Sequence, residues 1–484
     1  MTGLAPSFGG ASEFLDPQYE LLPFRFMRLD EGRYVATNLA GDYLCLSREQ
    51  LAAFIEKRLP ANDRLLNDLE ARQFLRRGYD LAPLELLAAQ YRTQQSQRRW
   101  FTSLHLFVGT LRCDHSCQYC QVSRAHDAAA GYDMTPETAD RAVDLMLEGP
   151  SPQLKVEFQG GEPLLNFPIV ERIVRRTKAQ AEGRFVQFVV ATNLALLDDG
   201  KLKFFSQHGI KVSTSLDGPR ELHNRNRPRP GRDAYEATLR GIQRCREQLG
   251  HESVSALLTC TADSLRQPEA IVDEYVAQGF RSIFLRHISP YGFAARSQQR
   301  IGYETEQFLE FYRRGLARIL WHNQQGYPLR ETYASILLNR ILTTAPPGYV
   351  DLLSPTGLGL NCLAYDYDGD VYASDEGRML AQMGDDSFRL GNVHQTRWRD
   401  LFLESELLTI ADETMTEGMP GCADCAFQPY CGSDPVFHHV TQGDRVGHRP
   451  SSAFCRRNME IMRHLIRSLE DDACAARILR QWAL

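Results

Sequence analysis

The sequence predicts an α/β protein built on a parallel sheet with helical crossovers, and two observations carry that prediction. Between about residue 100 and residue 325, strand text and helix text alternate six times. Six such units in series imply parallel strands joined by crossover helices. On either side the text differs. A polar run, RTQQSQRR (92–99), closes an earlier strand-and-helix unit, and beyond 350 the chain turns rich in Gly, Asp and Cys and poor in helical period. The sheet is a partial barrel or a doubly wound one. In both, chemistry sits at the C-terminal ends of the strands.

In chain order, FRFMRL and RYVATNLAGDYLCL read as strands, with Gly32 and Gly41 near turns. SREQLAAFIEKRL reads as a helix, with Ser47 as N-cap and Gln50 at the capping-box position. Helical text continues to about Tyr91. The core strands are SLHLFVGTL, LKVEFQGG, FVQFVVATN, KVSTSLDG, VSALLTCTA and SIFLRHISP. Between them lie the helices PETADRAVDLMLEG, FPIVERIVRRTKAQ, AYEATLRGIQRCREQLG and PEAIVDEYVAQG, and TEQFLEFYRRGLARILWHNQQG follows the sixth strand. Residues 350 to 460 read as a small metal-stabilised region, since such loops build little core. One amphipathic helix closes the chain. The expected domains are 1–98, 99–348, 349–460 and a C-terminal helix at 461–484.

Composition excludes some functions. The 484 residues are 43% hydrophobic and 24% charged, and the net charge is −6. A nucleic-acid binder would show a basic bias. The start, MTGLAPSFGGASEFLDPQYE, lacks the basic and apolar runs of a signal peptide, and no apolar stretch spans a bilayer. The expected location is the cytoplasm, without nucleic acid or membrane as partner. Thiols stay reduced there, so clustered cysteines suggest metal or catalysis. Of 12 cysteines, Cys45, Cys245, Cys260 and Cys474 are scattered and read as small buried apolar residues.

The others cluster. LRCDHSCQYCQVS holds Cys113, Cys117 and Cys120 with no fourth thiol. Structural zinc needs four closed ligands, and His115 is wedged between two cysteines. Three thiolates suit a [4Fe–4S] cluster with one iron left open for a small molecule. Later, CADCAFQPYC supplies Cys422, Cys425 and Cys431, and SSAFC supplies Cys455. Four soft ligands fit zinc or an iron–sulfur cluster, and spacing alone favours zinc.

CDHSCQYC, with the aromatic Tyr119 before its third cysteine, resembles the CxxxCxxC signature of radical S-adenosylmethionine (SAM) enzymes. The resemblance implies a partial (β/α)6 TIM-like barrel, a SAM-binding cluster, and a 5′-deoxyadenosyl radical that takes hydrogen from a substrate. FQGGEPLL resembles the segment that binds the SAM amino group: Gly160 and Gly161 would let backbone approach the ligand, and Glu162 would meet the ammonium. Thr192 and Asn193 end strand three. SLDGPRELHNRNRP resembles the segment meeting the ribose and carboxylate, with Ser215, Asp217 and Arg227 as candidate contacts.

The late region resembles the SPASM domain, the auxiliary-cluster extension of peptide-modifying radical SAM enzymes. Cys362 begins the pattern and Gly369 is in place, but Ser374 and Pro435 stand at two cysteine positions. RLGNV (389–393) also fits the family text. The resemblance implies one auxiliary [4Fe–4S] cluster on Cys422, Cys425, Cys431 and Cys455, and leaves a second, which would use Cys362, unsupported. An Asp at the place of Asp375 is a base in sulfatase-maturating relatives. The N-terminal and late texts most resemble maturases of the His-Xaa-Ser system. That implies a peptide or protein substrate, a second radical SAM maturase as partner and an electron donor such as flavodoxin or ferredoxin. The first 98 residues would then hold a leader peptide by edge-strand addition. The competing expectations are a formylglycine-generating sulfatase maturase and a zinc-bearing scaffold.

Overall fold

The computed structural model describes residues 19–96, 101–231, 233–343 and 349–483. A small antiparallel sheet comes first: β1 (Phe24–Arg28), β2 (Arg33–Asn38) and β3 (Tyr43–Ser47). Helix α1 (Arg48–Ile55) follows. Ser47 Oγ accepts the Gln50 amide and Gln50 returns a carboxamide oxygen to the Ser47 amide, the reciprocal cap that the sequence implied. Leu46, Leu51, Phe54, Leu66, Leu69 and Phe74 form a separate core for this unit. A helix runs unbroken from Ala82 to Gln95 and takes in the first residues of the expected linker, whose last residues, 97–99, lie outside the described ones. Gln and Arg are good helix formers, so polarity alone does not end a helix.

The main sheet contains β4 (Leu104–Val108), β5 (Gln153–Gln159), β6 (Phe185–Ala191), β7 (Lys211–Ser215), β8 (Val254–Thr259) and β9 (Leu285–Arg286). Three more strands follow: β10 (Cys362–Tyr365), β11 (Asp370–Tyr372) and β12 (Arg389–Asn392). Their spatial order is β9-β8-β7-β6-β5-β4-β10-β11-β12. The six expected strands are parallel and stand in chain order. A doubly wound sheet would reverse its order at a switch point, so the partial-barrel alternative holds and the sheet is open at β9 and β12. The sixth strand is split. Ser282–Ile283 pairs with Arg330–Glu331, and Leu285–Arg286 alone joins the main sheet.

The two faces of the sheet differ because side chains alternate along a strand. Phe107, Val156, Phe158, Val190, Val212 and Leu258 lie in the buried core shared with the crossover helices. Lys155, Glu157, Gln159, Ser213, Ser215 and Thr259 face a cleft. Helices α2 (Pro136–Glu148) and α3 (Phe167–Gln180) bury Val143 and Met146, and Ile169, Val170, Ile173 and Val174, at helical spacing.

The late region differs from expectation. β10 pairs parallel with β4, placing Cys362 opposite Leu104, and β11 and β12 add antiparallel strands. Leu363, Tyr365 and Val371 are wholly buried in the common core, so residue 349 marks no core boundary. Four-residue strands are too short for periodicity to reveal. The closing helix is two helices, α4 (Ala453–Asp471) and α5 (Ala473–Trp482). Ser452 caps the first, which begins at Ala453, eight positions ahead of the expected start at 461, and Asp472 caps the second. The N-terminal unit is fastened to this region. Thr37 Oγ1 donates to Ala426 O at 2.7 Å, Arg33 pairs with Asp471 at 2.6 Å, and Tyr43 donates to Glu470 at 3.1 Å. Cys245 and Cys260 are fully buried, as expected, whereas Cys45 and Cys474 are half-buried. Among the described residues no helix is long and apolar enough to cross a membrane.

Candidate functional site

Cys113, Cys117 and Cys120 sit on one loop beyond the C-terminal end of β4. A two-residue ladder, Arg112–Cys113 against Ala125–His126, pinches its base. The chain after β7 holds its middle: Ser116 N–H donates to Pro228 O at 2.7 Å and Gln118 N–H to Asn226 O at 3.1 Å. Phe293 N–H donates to Cys120 O at 2.8 Å. Gly292, at φ +57°, lies so near that a Cβ would stand 2.3 Å from Gln121 O. His115 is structural, bonded to Asp114 at 3.0 Å and Asn193 at 2.9 Å. Burial pushes the Cys117 thiol up to about 11 and the Cys113 thiol well above its usual value. Without a metal these two are neutral thiols, and metal binding would release their protons.

Glu162, at the end of β5, is 1% exposed. Its carboxylate accepts from Thr192 Oγ1 at 2.7 Å, Asn193 N–H at 2.8 Å and Leu164 N–H at 3.0 Å. Burial still raises its pKa to about 7. Among the described residues no cation pairs with it. An ordered, buried carboxylate that lacks a counter-cation and lines a cleft is built to receive one. Thr192 and Asn193 line the cleft and also orient Glu162, and Asn193 Nδ2 donates to Asp114 at 2.8 Å.

Two sequence expectations change. Gly160 and Gly161 line the cleft, but their close approach is to the cysteine loop. A Cβ on Gly160 would lie 2.3 Å from Thr110 O, and one on Gly161 2.2 Å from Arg112 O. The glycines let the two strand ends pack backbone to backbone. Asp217 is fully buried behind Tyr119 and does not line the cleft. It accepts the Tyr119 hydroxyl at 2.7 Å. Arg227 donates to the same hydroxyl at 2.6 Å and lines the cleft, as Ser215 does. Asp217 thus positions the Tyr119–Arg227 pair.

The cleft, about 1850 Å³ counting its open mouth, runs from the cysteine loop across the polar face of the sheet to Arg286, Asp351 and Glu376. Cys362, Ser374 and Asp375 line its far end. Cys362 is 2% exposed in a small cluster with Leu106 and Tyr372, apart from the late cysteines. Ser374 caps a helix that begins at Asp375, and Pro435 begins another that Asp434 caps. The two positions without cysteine therefore start helices. Asp375 is held by the fully buried Arg378 at 2.8 Å. Arg286 and Glu376 were missed by sequence reading. Arg286 stands at the end of the sixth strand, where barrel geometry points, but no motif marks it.

Cys422, Cys425 and Cys431 lie on one loop, and Cys455 lies in the first turn of α4, its amide bound by Ser452 Oγ at 3.1 Å. The Cys431 thiol, pushed up to about 12 by burial, feels the other three as neighbours. Among the described residues no three His, Cys, Asp or Glu side chains stand as a single-ion site.

Three thiols on one loop, an unpaired buried carboxylate and a facing guanidinium fit a cluster with SAM bound at an open iron. Comparison with known proteins agrees with that fit. Residues 107–277 match the model of the radical SAM superfamily. A cysteine-type anaerobic sulfatase-maturating enzyme of Clostridium perfringens is 24% identical over 304 residues, 60% of this chain and 77% of that one. Among solved structures, anSMEcpe with bound AdoMet superposes with a TM-score of 0.64 at 18% identity, covering 78% of this chain and all of the other. Streptococcus suis SuiB bound to precursor peptide SuiA gives 0.55 at 14%, covering 89% and 98%. The cysteine triad, Glu162 and Arg227 all lie within the stretch, 107–277, that matches the radical SAM superfamily.

Proposed function

We propose that the chain is a maturase that modifies a ribosomally made peptide or protein by hydrogen abstraction. The observation that carries this is the cleft: at about 1850 Å³ with its mouth, it extends well past the cysteine loop and Glu162 to a second set of charged side chains at Arg286 and Glu376. That length leaves room for a polypeptide segment beside the cofactor. When bound, the cluster and SAM supply a carbon-centred radical that removes a substrate hydrogen atom. Cys113, Cys117 and Cys120 would hold the cluster, Glu162 the ammonium, and Arg227 with Ser215 the carboxylate. Tyr119 and Asp217 fix Arg227 in place. Cys422, Cys425, Cys431 and Cys455 would hold one auxiliary cluster.

The finer reading is His-Xaa-Ser maturation in the cytoplasm, with a second maturase, an electron donor of the flavodoxin or ferredoxin kind and a leader peptide on the N-terminal sheet. Support for leader docking is the edge strand β1, with Phe26 43% exposed. The sulfatase-type alternative is supported by Asp375 at the cleft wall, although Arg378 already engages that carboxylate. The deciding experiment is anaerobic reconstitution with iron and sulfide, then SAM cleavage with each substrate: the peptide encoded beside this chain, and a Cys- or Ser-containing sulfatase peptide. Mass change in the first alone supports the proposal. Formylglycine in the second alone replaces the His-Xaa-Ser reading with the sulfatase-type one, and SAM cleavage with no change in either substrate overturns the maturase proposal.

A further inference from the structure

A smaller chamber, about 620 Å³ counted with its mouth as the cleft was, adjoins the far end of the cleft and shares Arg286, Asp351 and Glu376 with it. Its water-accessible interior is about 40 Å³, room for about three waters or one polar head group rather than a whole residue. Asp351, Glu376 and Asp434 contribute three carboxylates, and Arg286 and Arg457 two guanidiniums. Tyr349, Tyr291, Phe454 and other rings complete the wall.

The polar groups are underemployed. Arg457 is 8% exposed, lies over the Phe454 ring at 5.6 Å, and has no carboxylate within ion-pair distance among the described residues. Tyr291 is 1% exposed, and its hydroxyl has no partner. Asp434 spends one oxygen on the Phe437 amide at 2.9 Å. Neither Asp351 nor Glu376 forms an ion pair among the described residues. Burial and mutual repulsion raise all three carboxyls, Asp434 to about 7. Unpaired groups buried at this density are costly unless a ligand satisfies them. With all three carboxyls ionised, the state a bound cation favours, negative charge exceeds positive by one, and aromatic faces attract cations. An anion would meet three carboxylates, and an alkyl head would leave every polar group unmet.

We propose that this chamber receives the cationic nitrogen head group of a substrate side chain, an imidazolium, guanidinium or ammonium, while the backbone carrying it lies in the main cleft. This rests on the maturase reading and names the side-chain class that the cleft selects. The carboxylates accept the N–H donors of the head group, and the rings cover its faces.

The test uses the full chain, cluster-loaded and with SAM, in equilibrium dialysis against N-acetyl amides of histidine, arginine and lysine. The N-acetyl amides of norleucine and glutamate serve as controls. At least one cationic amide should bind saturably, and neither control should. Glu376→Gln and Asp351→Asn, from different segments of the wall, should each weaken that binding at least tenfold. Binding by no cationic amide, equal binding of a control, or full affinity in both variants overturns the assignment. If one variant does not fold, as read by its thermal melt, the other variant and the wild-type ligand series still decide. SAM cleavage by the wild type separates the two levels. If cleavage occurs and no cation binds, the chamber assignment alone falls; if no cleavage occurs, the maturase reading falls.

Discussion

Replacing Glu162 with Gln removes a buried charge at nearly constant shape, and the structure sets the size of the effect. Burial moves this carboxyl from 4.5 to about 7. At about 1.4 kcal/mol per unit, holding it ionised costs the protein on the order of 3 kcal/mol. Between those two values the native state binds the proton more tightly than the unfolded chain. Stability therefore falls as pH rises through the window, and the whole cost is present above about pH 7. Gln cannot titrate, so the variant lacks this slope. Its amide turns one donor toward the Thr192, Asn193 or Leu164 donors, which returns about 1 kcal/mol of destabilisation at all pH values. Cluster-free Glu162→Gln protein should thus match or exceed wild-type stability at about pH 8 and fall behind it at about pH 5. SAM binding should move the other way. A buried ammonium–carboxylate contact worth about 2–3 kcal/mol predicts binding weaker by about 30- to 150-fold. Urea unfolding at both pH values and equilibrium dialysis of SAM on cluster-loaded protein measure the two effects. SAM affinity within about twofold of wild type, or parallel pH dependence of stability in the two proteins, would refute the reasoning.

Four further outcomes are expected. Ala at Cys113, Cys117 or Cys120 should abolish 5′-deoxyadenosine formation and lower bound iron from about eight to about four per chain; wild-type cleavage in Cys117→Ala would remove the cluster assignment. Cys362→Ala should lose no iron, because this thiol sits apart from the late cysteines; about twelve irons in the wild type, dropping by about four in the variant, would instead reveal a second auxiliary cluster. Gly161→Ala puts a Cβ 2.2 Å from Arg112 O and should cost more than about 2 kcal/mol while loosening the cysteine loop, seen as a lower melting temperature and poor loading of the first cluster; a normal melt with full iron would contradict it. A chain starting at Trp100 should lose auxiliary iron, since Thr37 and Gly41 no longer cover Ala426 and Tyr430, yet still cleave SAM; undiminished auxiliary iron would show the N-terminal unit to be independent.

Local text determined a good deal. Six alternating strand and helix segments were legible because each spans enough residues for its period to show. The Ser47 cap, the CxxxCxxC loop and the GGEP turn were legible because each mechanism lies within a few consecutive residues. Tertiary structure decided what depends on residues distant in sequence. That β10 extends the core sheet beside β4 joins residues some 258 positions apart, Cys362 with Leu104, and no local pattern encodes that partner. The same holds for Asp217, a polar strand end by sequence but a fully buried support for Tyr119. It holds too for Asp375, whose carboxylate belongs to Arg378, and for the chamber, whose charged walls come from five separate stretches of chain. Sequence names the groups that can do chemistry. Which of them stay unpaired, and so available to a ligand, is set by who stands within hydrogen-bond reach, and only the folded chain fixes that.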